Sequence, residues 1–114
     1  MNKTLERYVV KEGWRQIMER MYERLEAAIA EQPVEARDSY RIDDIKEKFG
    51  TVTVYLDGDK TPEMAAAIEE AREASAITCD VCGAPGTLAE RGLVHWMSVR
   101  CVAHESWSRF AQTA

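Results

Sequence analysis

Cys79-Asp80-Val81-Cys82 and its downstream partner Cys101-Val102-Ala103-His104 read as C-x2-C-x18-C-x2-H, and together they use all 3 cysteines of the 114-residue chain. Zinc prefers four tetrahedral thiolate and imidazole ligands, and two ligands with two residues between them reach one ion when a tight turn separates them. Gly83 follows the first pair. Cys-x-x-Cys-Gly is the sequence of a zinc knuckle, where glycine permits the left-handed backbone that aims amide N–H groups at the sulfurs. One disulfide with a spare thiol, or three inert buried cysteines, would leave this spacing unexplained. A thioredoxin-type redox motif would open a helix after a strand and give Cys101 and His104 no role.

The expected metal ligands are therefore Cys79, Cys82, Cys101 and His104, and the expected cofactor is Zn2+. With four protein ligands no position remains for an activated water, so the site reads as structural rather than catalytic. His95 lies in Leu93-Val94-His95-Trp96-Met97, a run that reads as a strand, and no acid–base network is expected around it. No catalytic residue is assigned, and the chain reads as a non-enzyme.

Size and charge narrow the classes further. A chain of 114 residues is one domain with a modest core that a metal would help to staple. No apolar run approaches membrane-spanning length. Met1 to Val10 is charged and lacks an apolar run of signal-peptide length, so a reducing cytoplasm is the expected compartment. The formal net charge is -5, with ten basic and twelve acidic side chains in residues 1–57 and five and eight in residues 58–114. Neither half is a basic arm, which weighs against a phosphate-backbone partner.

Around the metal motif the periodicities give an α+β fold of helix, β-hairpin and helix, followed by a C-terminal zinc-binding treble-clef or ribbon-like element. This makes a single domain, 1–114, with an α+β body (1–76) and a zinc-binding subdomain (77–114). From Gly13 to Glu31, Trp14, Ile17, Met18, Met21, Leu25, Ala28 and Ile29 recur at helical steps. The opposite face, with Arg15, Glu19, Arg20, Glu23, Arg24 and Glu26, reads as solvated. Pro33 ends the pattern, and Tyr8 to Val10 form a lead-in expected to pack on Trp14. In the hairpin, Tyr40 and Ile42 alternate before the turn and Val52, Val54 and Leu56 after it, with Phe49-Gly50 at the reversal. Ile45 breaks the parity, which requires a bulge or an early strand end. Thr61-Pro62-Glu63 starts the second helix, with Met64, Ile68, Ala71 and Ser75 on its narrow core face. Thr87 to Arg100 reads as a hairpin around Arg91-Gly92, and Trp107, Phe110 and Ala111 suit a short final helix.

Gly13-Trp14, Ile45-Lys46-Glu47-Lys48-Phe49-Gly50, the strand closing on Tyr55, Glu73-Ala74-Ser75, the run from Cys79 to Gly86, and Cys101 with His104 together resemble a family of small, largely uncharacterised bacteriophage and prophage proteins. The likeness spans nearly the whole chain. Where that family commonly has Leu-Arg-Phe-Tyr, this chain has Val52-Thr53-Val54-Tyr55, so a role for that arginine does not carry over. The resemblance implies an accessory protein acting inside a bacterial host, and it implies no reaction.

Outside the metal motif, Lys46, Glu47, Lys48 and Phe49 are the partner-binding candidates: paired lysines suit an acidic or phosphate partner, and Phe49 offers an apolar anchor. The plainer reading, which is preferred, is a polar hairpin end with Phe49 in the core. The leading functional expectation is a zinc-stabilised, non-enzymatic interaction module that binds a host protein or nucleoprotein. Inhibition of a host defence machine, anti-CRISPR activity included, is its sharpest form. The alternative is a zinc-finger-like nucleic-acid-binding regulator using Lys46, Lys48, Arg91 and Arg100 with Trp96 for stacking.

Overall fold

A computed structural model describes residues 5–8, 10–91 and 96–105. Chain order is α1 (Arg15–Ala30), α2 (Val34–Arg37), β1 (Arg41–Lys48), β2 (Thr51–Asp57), α3 (Pro62–Ser75), β3 (Thr87–Arg91) and β4 (Trp96–Arg100). This is the expected α+β order. Short 3-10 turns precede α1 at Glu12–Trp14 and follow β4 at Val102–His104. The two sheets are separate antiparallel pairs, β1 with β2 and β3 with β4.

α1 buries Met18, Met21, Tyr22, Leu25, Ala28 and Ile29, the stripe its 3.6-residue period requires. Ile17 is only partly buried. Tyr22 joins the core because residues 5–8 cross that side of the helix: its hydroxyl accepts from the Tyr8 amide at 3.2 Å, and Arg7 lies over its ring at 4.3 Å. Glu26, expected on the solvated face, accepts the Leu5 amide and the Arg7 guanidinium, both at 2.8 Å. Leu5 is thereby held in the core. Val10 packs on the same core. After α1 the chain makes α2, a helical turn that the sequence pattern does not announce. Its Arg37 donates to the carbonyls of Ala30 and Gln32, each at 2.9 Å, satisfying acceptors left over at a helix C-terminus.

In β1–β2 the register runs Ile42↔Leu56, then Asp44↔Tyr55 and Ile45↔Val54, with the shift falling between Ile42 and Asp44. The bulge accommodates one extra residue and returns Ile45 to the core side. Val52, Val54 and Leu56 are buried. Phe49 and Gly50 make a two-residue turn with φ of 52° and 84°, the doubly left-handed geometry of a type I′ hairpin. Phe49 is 83% exposed, which corrects the preferred expectation that it lies in the core. Turn geometry decides this: Lys48 pairs with Thr51, so Phe49 stands beyond the last pair.

α3 starts as expected, with Thr61 Oγ1 accepting from the Met64 amide at 3.3 Å and Pro62 in the first turn. It buries Met64, Ala67, Ala71 and Ser75. Ala67 takes the position expected of Ile68, which sits partly buried at the edge. Small side chains let α3 pack against α1 and β2 together. Ser75 Oγ accepts the Val52 amide at 3.0 Å and donates to the Arg72 carbonyl at 2.7 Å.

The second hairpin pairs Thr87↔Arg100 through Arg91↔Trp96. Arg91, expected at the reversal, is paired with Trp96 within the ladder. Residues 92–95, including His95, and the expected helix with Trp107, Phe110 and Ala111, lie outside the described residues.

Candidate metal centre

Locally the knuckle forms because Gly83 supplies φ of 83°, a left-handed conformation that side-chain-bearing residues adopt at a cost. Its amide then donates back to the Cys79 carbonyl at 3.0 Å, while the Cys79 amide donates to Ala84 at 2.7 Å. A bridge between Thr78 and Pro85 closes the base of the loop. The second ligand pair follows β4 directly. His104 N donates to Cys101 O at 3.0 Å, so the 3-10 turn puts both side chains on one side. Among the described residues the order is knuckle, hairpin and a ligand pair on a 3-10 turn.

The Cys79, Cys82 and Cys101 sulfurs and a ring nitrogen of His104 all lie within 4.8 Å of one another. Cys82 Sγ is 3.7 Å from Cys101 Sγ, and His104 Nδ1 is 3.8 Å from Cys79 Sγ and 3.2 Å from Cys101 Sγ. Tetrahedral metal–sulfur and metal–nitrogen bonds of about 2.3 and 2.0 Å imply sulfur–sulfur and sulfur–nitrogen edges of about 3.8 and 3.5 Å. The four side chains therefore suit one metal ion. His104 presents Nδ1 to the Cys79 and Cys101 sulfurs.

The thiols point the same way electrostatically. Burial raises the Cys79 thiol, but amide N–H groups of Cys101, Cys82 and Val81, with the Cys101 thiol, bring it down to about 6. For Cys82 the Ala84 amide favours the thiolate, yet desolvation and the neighbouring Cys101 and Cys79 sulfurs leave its thiol raised. Three crowded sulfurs resist sharing negative charge, and a cation among them removes that conflict.

Charge partners support the ligands from behind. Asp80, between the two knuckle cysteines, has a side chain only 1% exposed and meets Arg100 Nε at 2.7 Å and Lys11 Nζ at 3.0 Å. Lys11 also meets Glu47 Oε1 at 2.9 Å. The knuckle is bound to the body by Gly13 N donating to Asp80 O at 3.0 Å and by Trp14 Nε1 donating to Thr78 O at 3.0 Å. A Cβ on Gly13 would lie 2.1 Å from the Cys79 carbonyl oxygen, so only glycine permits this approach. The Gly-Trp pair and the metal motif are one structural unit.

The hairpin candidates divide. Lys46 and Lys48 lie on the outer face, with Nζ 5.8 and 5.4 Å from the Tyr55 ring centre. Phe49 projects from the tip, whereas Glu47 turns inward to Lys11. Arg100, expected in a basic patch with Lys46, Lys48 and Arg91, has a 9%-exposed side chain held by Asp80. Trp96 is 52% exposed. Asp80 and Lys11 escaped sequence reasoning: an acidic residue in a knuckle spacer and a lysine near the N-terminus carry no periodic signal that they meet.

Fold and site define a small α+β protein with a Cys3His cluster able to hold a metal ion. No helix among the described residues is long and apolar enough to cross a membrane. No family model, curated protein or solved structure matches the chain, so the functional reading rests on its own residues.

Proposed function

We propose that this chain is a zinc-stabilised, non-enzymatic interaction module, an accessory protein of the phage kind that holds a surface against a host protein or nucleoprotein. Its sharpest form is an inhibitor of a bacterial defence machine, with CRISPR effectors among the targets. The metal-stapled, non-catalytic part is supported by the cluster of four protein donors within 4.8 Å of one another, and the phage setting by the resemblance of the residues quoted above. The four donors suffice for a tetrahedral ion and leave no corner for a reacting water. Bound zinc would supply folding free energy, on the order of 10 kcal/mol for small sites of this type. The residues around it do structural work: Gly13 and Trp14 seat the knuckle on the body, and Asp80 joins the knuckle to β4.

The test has two stages. Protein purified without added metal should carry about one zinc per chain and should lose C-terminal structure in a strong chelator. Affinity capture from bacterial cells should then retrieve a defined host complex, and expression of the chain should protect phage from a defence system. Metal-free protein with unchanged folding removes the zinc; no partner and no protection removes the module. The exposed Trp96 keeps a nucleic-acid regulator as the second reading, although burial of Arg100 against Asp80 subtracts a cation from it. A low-salt gel shift with single- and double-stranded probes decides that alternative.

A further inference from the structure

We propose that the tip and outer face of the β1–β2 hairpin, formed by Phe49, Lys48, Lys46 and Tyr55, dock an acidic protein surface that offers Phe49 an apolar pocket rimmed by carboxylates. This rests on the interaction-module reading and names the face and the partner chemistry.

Phe49 carries the argument. The first position of a type I′ turn favours asparagine, aspartate or glycine, because φ is positive there. Here a bulky aromatic residue occupies it at φ of 52°, and 83% of that residue is exposed. It therefore contributes little to the core while imposing backbone strain. Large aromatic side chains in such positions suit binding, where they bury substantial area. The tip is also rigidly placed: a Cβ on neighbouring Gly50 would lie 2.6 Å from Leu88 Cδ1 and 3.2 Å from the Met97 backbone, so the second hairpin braces the turn from behind.

Charge gives the partner its sign. Lys46 and Lys48 lie over Tyr55 from the same side and form a local basic face on a chain of net charge -5. Lys46 also meets Asp44 at 3.8 Å with both side chains at least half exposed, a solvated pair that a partner's carboxylates can displace. Glu47 is withdrawn by Lys11 and does not oppose them. Lys46 and Lys48 hold their Nζ atoms 5.8 and 5.4 Å from the Tyr55 ring centre, so a base stacking on that ring would have to displace them, whereas carboxylates can meet the same ammonium groups where they stand. These features favour a protein over a nucleic acid.

The test places the photo-crosslinker p-benzoylphenylalanine at Phe49, and separately at Ile77 and Val102, exposed by 67% and 85%, in the full chain produced in bacterial cells. The Phe49 position should give an adduct to a protein segment rich in aspartate and glutamate. Adding Lys46→Glu with Lys48→Glu should reduce that adduct roughly tenfold. An adduct to nucleic acid, an adduct indifferent to charge reversal, or adducts from Ile77 or Val102 alone would overturn the surface while sparing the module. No adduct from any position would remove both. Independently, Phe49→Asn should abolish the adducts obtained from a crosslinker placed at Thr51 and raise the unfolding midpoint by a few degrees. A lowered midpoint would show that Phe49 supports the fold, and would overturn the proposal.

Discussion

Asp80 Oδ1 lies 2.7 Å from Arg100 Nε, and these two residues are the chain neighbours of Cys79 and Cys101. One buried ion pair thus spans the two halves of the ligand set, and Lys11, paired also with Glu47, meets the same carboxylate from the N-terminal segment. Replacing Asp80 with alanine removes the carboxylate that the buried Arg100 guanidinium meets at Nε, while Lys11 keeps Glu47. We expect a loss of about 3 kcal/mol, and a metal affinity lowered at least tenfold, as for residues supporting ligands elsewhere. Chemical unfolding and competition with a zinc chelator measure both. Unchanged affinity would mean that the pair plays no part in positioning the ligands.

Cys101→Ser should remove the metal and unfold residues 77–105 while α1, β1–β2 and α3 remain partly structured. The second hairpin buries few large apolar side chains, with Val99 the main one among the described residues, so ordering it without metal lacks a driving force. Metal analysis with residue-resolved hydrogen exchange tests this. Retained protection in β3 and β4 would contradict it.

Gly13→Ala forces a methyl group toward a carbonyl oxygen that would stand 2.1 Å away. Neither partner is a flexible side chain. The expected cost is about 3 kcal/mol, with loss of the Trp14 to Thr78 hydrogen bond and a red shift in fluorescence as Trp14 becomes wetter. A thermal melt indistinguishable from the parent would mean that the knuckle moves freely on the body.

Glu26 gives a pH signature. Desolvation pushes its carboxyl pKa upward, but hydrogen bonds from Arg7 and the Leu5 amide outweigh this and hold it below the usual carboxylate range. A depressed folded value stabilises the protein above the unfolded pKa of about 4.3, and that contribution fades as pH falls through the folded value. The difference in melting temperature between the parent and Glu26→Gln should be constant near neutral pH and shrink below about pH 4.5. A difference that grows on acidification would reverse the assignment.

Much of this molecule is legible locally. Ligand spacing marks the four side chains that converge, because a knuckle and a helical turn each place positions i and i+3 on one side. Thr61-Pro62 marks the start of α3 for similar reasons, since capping needs only neighbouring residues. The broken parity at Ile45 marks the bulge, and the 3.6-residue period marks most of the buried face of α1. Each signal lies within a few residues of the structure it specifies.

What tertiary structure decided is which surfaces are covered, since periodicity shows which residues share a face and not what lies over it. Tyr22 and Glu26 became partners of residues 5–8 because the N-terminal segment crosses α1. Arg100 changed from an expected surface cation to a buried one because Asp80 lies beside it. Phe49, apolar by composition, stays in solvent because a two-residue turn puts it beyond the last strand pair. Gly13 is required because a carbonyl from Cys79, distant in sequence, packs directly against it.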